Sequence, residues 1–139
     1  MAAGVPQAAQ RAAAGSAEPR TAHLTGARDH KASALVAAWR DPAAWEGVTE
    51  AGGVELPAAE MGKVALNELV IHGWDLARAT GQPYAPDATT TEAIFELLSA
   101  WENPDGTPGL FGPVVRVRSD APMLDRAVGL SGRDPAWSP

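Results

Sequence analysis

The sequence predicts a mostly α-helical domain with three or four helices and a few short extended segments. Alanine supplies about a fifth of the 139 residues, a composition that favours helix over strand. The strongest helical segment covers residues 57–80. Pro57 suits the first position of a helix, and Gly81 suits its C-terminal cap. No internal repeat is present, and the length is that of one domain.

Charge and cysteine content exclude several classes of function. Eleven basic and 17 acidic residues give a net charge of −6 and a pI near 4.9, which argues against a nucleic acid or an anionic membrane as the partner. With no cysteine, the chain has no disulfide, no thiolate metal ligand and no cysteine nucleophile. The N-terminal residues lack the continuous apolar region of a secretory signal, so we expect a cytoplasmic protein.

The N-terminal residues are predicted to differ from the rest of the chain. Residues 1–28 contain glycine and proline without sustained apolar periodicity, so we expect a poorly ordered arm followed by a domain over residues 29–139. Asp29 is the expected N-cap of the first helix, and Asp41-Pro42 ends that helix and opens a short turn. The apolar stripe of this helix is Ala32, Leu35, Val36 and Trp39.

Two segments are predicted to be extended. Residues 48–56 indicate a hairpin around Gly52-Gly53, and residues 110–119 alternate valines with Arg116 and Arg118, which we expect on the solvated side.

Two further helices follow the long one. Thr89 and Glu92 have the spacing of a capping box, and Asp120 is the expected cap of a last short helix. Their apolar positions are Ile94, Leu97, Leu98 and Trp101 in the first, and Met123, Leu124, Ala127 and Val128 in the second.

Three ionisable residues on the long helix are the strongest candidates for chemistry. Glu68, His72 and Asp75 are four and three residues apart and share one helix face. They continue a heptad-like series that we predict to face the bundle interior, namely Met61, Ala65, Glu68, His72, Asp75 and Ala79. Helical bundles hold metal ions with a Glu and a His directed into the core in this way.

A purely structural interpretation of the same residues remains open. Glu68 and His72 on a solvated face would form only a weak surface pair. Gly73 beside His72 allows either a ligand or a packed neighbour to approach closely.

The motif NELVIHGWDLARATGQPYAPD, together with AAWRDPAAW and FGPVVRVRSDAPMLDRAVGLSGRDPAW, closely resembles the mycothiol-dependent maleylpyruvate isomerase-like, metal-binding group of the DinB-like superfamily. The resemblance covers about residues 30–137. It implies a four-helix bundle that binds a divalent ion, usually zinc, with Glu68 and His72 as two of three protein ligands. Asp75 then either orients His72 or lies on the substrate side of the site.

The resemblance also implies a third ligand, a histidine on an early helix in a D-x-x-x-H-L pattern that this sequence lacks. His23 and His30 are the remaining histidines, and neither has that context. We therefore expect a DinB-like bundle without its first helix or helices. The uncovered apolar surface then predicts a homodimer, coverage by the 1–28 arm, or low stability.

Two neighbouring residues are candidates for a pocket. Trp74 is a core or pocket aromatic beside the metal-binding face, and Arg78 is expected to pair with Asp75 or with a substrate carboxylate.

Two functions compete. The resemblance implies an isomerase or S-transferase in which the metal ion activates a small thiol such as mycothiol toward an electrophilic small molecule. The missing histidine favours a non-catalytic metal-binding or structural helical module instead.

Overall fold

The computed structural model describes residues 24–139, with side chains from His30 onward. This part of the chain is mostly helical and has one small two-stranded sheet, which confirms the predicted class. It divides into two compact units, with the boundary between Gly62 and Lys63. The elements in chain order are α1 (Leu24–Arg40), a 3-10 turn (Pro42–Trp45), β1 (Val48–Ala51), β2 (Val54–Pro57), α2 (Ala58–Thr80), α3 (Ala88–Ala100) and α4 (Met123–Leu130).

The first helix begins earlier than predicted. α1 already starts at Leu24, so the N-cap assigned to Asp29 is wrong, and residues 24–28 of the expected arm are helical. No proline interrupts the chain between Leu24 and Asp41, and most of these residues tolerate helix. Residues 1–23, which include the rest of the arm and His23, lie outside the described residues.

In the first unit, a tryptophan at the end of α1 packs against a tryptophan of the 3-10 turn. The rings of Trp39 and Trp45 meet edge to face with centroids 5.0 Å apart, and the Trp45 indole N–H donates to the Trp39 carbonyl oxygen at 2.7 Å. A Cβ at Gly62 would lie 2.5 Å from the Trp45 ring. Glycine therefore lets this indole pack against the start of α2.

The predicted hairpin is confirmed. β1 and β2 are antiparallel, with Ala51 opposite Val54. Gly52 and Gly53 form the two-residue connection with φ angles of +62° and +82°. Consecutive positive φ angles are what a type I′ hairpin turn requires, and glycine adopts them without steric cost.

The second unit is built around one apolar core. α2, α3 and α4 all contribute to it, and the prediction of a long helix ending before Gly81 is confirmed. The buried members of this core are Val70, Ile71, Trp74, Ile94, Leu98, Ala127 and Val128.

The caps of the two later helices differ from the prediction. Asp87, not Thr89, caps α3, because its side chain accepts a hydrogen bond from the Thr90 backbone N–H at 2.9 Å. Asp120 does not cap α4, which begins at Met123. Its carboxylate instead binds Arg118 through two hydrogen bonds of 2.8 and 2.6 Å. A charged partner two residues away competes successfully with the helix N–H groups for this carboxylate.

The segment before α4 has the predicted alternation. Val115 and Val117 are half-buried, whereas Arg116 and Arg118 are exposed. The Val115 backbone N–H donates to the carbonyl oxygen of Gly129, whose missing Cβ leaves room for this approach.

Within residues 24–139, no helix is long and apolar enough to cross a membrane.

Candidate metal-binding site

Glu68, His72 and Asp75 lie on the outer face of α2. The Glu68 and His72 side chains are 56% and 64% exposed, so the prediction that they face the bundle interior is wrong. On the opposite side of α2, Val70, Ile71 and Trp74 enter the core, and Met61 and Ala77 are also buried. Burying this more apolar stripe avoids the desolvation of three ionisable groups, which explains why the helix takes this orientation.

The three side chains nevertheless form one hydrogen-bonded chain. The His72 Nε2 atom lies 3.1 Å from Glu68 Oε2, and His72 Nδ1 lies 3.1 Å from Asp75 Oδ2. The helical spacing of four and three residues places one carboxylate at each ring nitrogen. The imidazole thus lies between two carboxylates.

A residue from the C-terminal segment completes this arrangement. Arg133 donates from Nε to Asp75 Oδ1 at 2.7 Å and from Nη2 to Asp75 Oδ2 at 2.9 Å. Its Nη1 also donates to the backbone carbonyl of Ser131 at 3.2 Å. The Arg133 guanidinium, through its hydrogen bonds, lowers the pKa of the Asp75 carboxyl below its ordinary value of 3.8. Asp75 is therefore a fixed carboxylate that orients His72.

Sequence reasoning did not find Arg133. It lies 58 residues from Asp75, and no local spacing links the two. The expected partner Arg78 is engaged elsewhere, since it donates to the Pro135 carbonyl oxygen at 2.8 Å and lies 5.3 Å from the centre of the Trp74 ring. The predicted pairing of Arg78 with Asp75 is wrong.

Trp74 and Arg78 do line a cavity. Its volume is about 180 Å³, and it lies between the end of α2, the following loop and the start of α4. Tyr84 forms part of the wall, and its hydroxyl donates to the Val70 carbonyl oxygen at 2.9 Å. A Cβ at Gly73 would lie 2.6 Å from that hydroxyl oxygen, so Gly73 accommodates a packed neighbour. The remaining lining residues are Ala77, Gln82, Pro83, Leu124 and Asp125.

A larger groove in the second unit was not predicted. It measures about 470 Å³ and lies between α3 and the extended segment before α4. The Arg126 guanidinium covers the Phe95 ring there, 4.5 Å from its centre, and Arg116 also lines the groove. None of the residues assigned to the metal site lines it.

The two histidines considered as a third ligand are His23 and His30. His30 is an exposed residue of α1 in the first unit, and His23 precedes the described residues. Among residues 24–139, no group of three or more His, Cys, Asp or Glu is arranged to hold a metal ion.

The geometry of Glu68 and His72 still fits two ligands of one ion. Two ligands at about 2.0–2.1 Å from a tetrahedral zinc ion lie about 3.3 Å from each other. The observed separation of His72 Nε2 and Glu68 Oε2 is 3.1 Å. A carboxylate on the opposite ring nitrogen is also the usual partner of a metal-binding histidine. With a metal ion bound, this donor set would supply two ligands and the group that orients one of them.

Comparisons of the chain with protein-family models, with curated proteins and with solved structures found no match.

Proposed function

We propose that this protein binds a divalent metal ion, of which zinc is the best fit, through Glu68 and His72. The observation that carries this proposal is the hydrogen-bonded chain from Glu68 through His72 and Asp75 to Arg133. An exposed ion pair does not require a histidine to have a carboxylate at each ring nitrogen, because such contacts contribute little to the stability of a solvated helix. A metal ligand does need it, because ring orientation and tautomer govern its affinity.

Each residue has a distinct role in this proposal. In the metal-bound form Asp75 accepts the Nδ1–H of His72, and Nε2 binds the ion in place of its present hydrogen bond with Glu68. Arg133 holds both Asp75 oxygens, which fixes the carboxylate and keeps it ionised. Glu68 supplies a negatively charged oxygen beside His72 Nε2.

For the reaction class, we propose thiol-dependent isomerisation or S-transfer on a small electrophile, within a DinB-like four-helix bundle that lacks its first helix or helices. The motif around Glu68 and His72 supports this proposal through its resemblance to the mycothiol-dependent group. A bound divalent ion would lower the pKa of a coordinated thiol. The chain contains no cysteine, so the thiol must be a separate molecule such as mycothiol. Use of a low-molecular-weight thiol is consistent with action in the cytoplasm.

A second function, a non-catalytic metal-binding or structural module, is favoured by one observation. The described residues supply Glu68 and His72 but bring no third ligand to them. Thiol binding to the metal-loaded protein distinguishes the two functions, because a catalytic site must keep a coordination position open for the thiol.

Zinc analysis after equilibrium dialysis tests metal binding by the full chain. Wild type should retain zinc, His72→Ala should lose it, and Asp75→Asn should bind about 10–100-fold more weakly. His30→Ala tests the other described histidine, which is a candidate third ligand. Equal zinc in wild type and His72→Ala would refute the proposal, whereas a loss in His30→Ala would identify His30 as a ligand.

A further inference from the structure

α2 has a second apolar stripe that points away from the core. Leu69 and Leu76 are 60% and 64% exposed, although leucine favours burial. They flank His72 at spacings of three and four residues. With Ala65 and Ala79 they continue the alternation of four and three that characterises a helix-pairing seam. We call this stripe the outer seam: Ala65, Leu69, His72, Leu76 and Ala79.

We propose that two copies of this chain pair through their outer seams and share one divalent ion, held by Glu68 and His72 of each copy. This inference rests on the proposed metal-binding function. It identifies the partner as a second copy and locates the missing ligands there.

The number of ligands argues for a second copy. A structural zinc ion takes four protein ligands, and one chain offers two at its exposed site. A two-fold axis repeats every residue of a patch, so pairing two such sites supplies two more ligands of the same kinds. No additional histidine from either chain is needed.

The position of the ligands in the seam supports the same arrangement. His72 is the central residue of the outer seam, with one leucine and then one alanine on each side along the helix. Leucine beside the site excludes water, and alanine at the ends lets two helices approach closely. The buried stripe of α2 lies on the other side of the helix, so pairing would leave the core intact.

The charges indicate that pairing depends on the ion. The charge of Asp75 is already balanced by Arg133, whereas among the described residues Glu68 pairs only with His72. Bringing two Glu68 carboxylates together without a cation is unfavourable, and the net charge of −6 on each chain adds to the repulsion. A divalent ion between them removes this repulsion.

The length of the outer seam also indicates that pairing depends on the ion. From Ala65 to Ala79 the helix rises by about 21 Å, which is too short for two leucines per copy to hold a stable dimer alone. We therefore expect a monomer in chelator and a dimer in zinc. Four protein ligands leave no open position for a thiol, so the bridged form fits the second proposed function, the non-catalytic metal-binding module, and not thiol-dependent catalysis.

Sedimentation or light scattering of the full chain, with zinc content measured on the same samples, tests this proposal. Wild type should be monomeric in EDTA and dimeric with about one zinc per two chains. The double variant Leu69→Gln/Leu76→Gln keeps both ligands and should weaken zinc-dependent dimerisation at least about tenfold. Leu110→Gln is the matched control, because Leu110 is equally exposed, at 59%, but lies outside α2. Far-UV circular dichroism of each variant checks that the helices are retained.

The possible results separate this inference from the function on which it rests. A monomer that binds one zinc per chain would overturn the shared site but keep Glu68 and His72 as ligands completed within the chain. A dimer that persists in EDTA would overturn the bridging ion. An absence of zinc binding by wild type would refute the proposed function and this inference together.

Discussion

Arg133 binds both carboxylate oxygens of Asp75, at 2.7 and 2.9 Å, and so connects the C-terminal segment to α2 across 58 residues of sequence. The Asp75 carboxylate in turn lies 3.1 Å from Nδ1 of His72. The orientation of the imidazole thus depends on a residue far from it in the chain. This contact has consequences for stability and for metal binding.

Removing the guanidinium should destabilise the fold. Arg133→Ala deletes two charge-assisted hydrogen bonds to a carboxylate that is 38% exposed. After allowance for solvent screening, we expect the free energy of unfolding to fall by about 1 kcal/mol in urea denaturation. Arg118→Ala is the control, because it removes the same kind of bidentate pair from a site where both side chains are largely exposed. A loss of stability in Arg118→Ala equal to that in Arg133→Ala would contradict this account.

The lowered pKa of Asp75 predicts an acid-sensitive contribution to stability. The carboxyl loses its proton more readily in the folded chain than in the unfolded one, because Arg133 binds the charged form. Its contribution is therefore present above the unfolded pKa near 3.8 and is lost as the pH falls through the folded value. The stability difference between wild type and Asp75→Asn should shrink as the pH is lowered from about 5 to about 3. If the stability difference between the two proteins stayed constant over this pH range, the charge of Asp75 would contribute nothing to the free energy of unfolding.

Two residues of α2 test which of its faces is buried. Ile71 is 2% exposed and Leu69 is 60% exposed. In EDTA, Ile71→Ala should lower the free energy of unfolding by about 2–5 kcal/mol, because it leaves a cavity in the core. Leu69→Ala should change it by no more than about 0.5 kcal/mol. If chemical denaturation showed a larger loss of stability in Leu69→Ala than in Ile71→Ala, the outer seam would be the buried face of α2.

Gly73 should be coupled to Tyr84. An added Cβ at Gly73 gains about 1 kcal/mol of helix propensity but meets the Tyr84 hydroxyl, at a cost of about 1–3 kcal/mol. We expect Gly73→Ala to be destabilising in wild type and clearly less so, or stabilising, in a Tyr84→Phe background. A double-mutant cycle by thermal or urea unfolding measures this coupling. The same cost in both backgrounds would mean that the hydroxyl is not the obstacle.

The elements that the sequence predicted well are those set by local chemistry. Gly52-Gly53 specifies the hairpin turn, and Gly81, at a φ of +67°, follows α2 as expected. The spacing of Glu68 and His72 alone brings their side chains together. Each of these outcomes depends on a few neighbouring residues.

The errors have a different origin. α2 carries two stripes with helical periodicity, and spacing alone did not show which one is buried. The apolar content of the two stripes determines which one is buried. Burying Val70, Ile71 and Trp74 is more favourable than burying a stripe that contains Glu68 and His72. The contact between Asp75 and Arg133 depends on the tertiary fold, which no local pattern encodes. Asp120 was misassigned because Arg118 offers it a stronger partner than a helix terminus.

Cobalt(II) titration of the full chain tests the central claim, that Glu68 and His72 bind one metal ion. Cobalt(II) in a tetrahedral protein site absorbs visible light far more strongly than the hydrated ion. Zinc should displace the cobalt from such a site. We predict a saturable visible band in wild type that zinc abolishes and that is missing in His72→Ala at unchanged helix content. A wild-type spectrum identical to that of free cobalt, or the same band in His72→Ala, would contradict the claim.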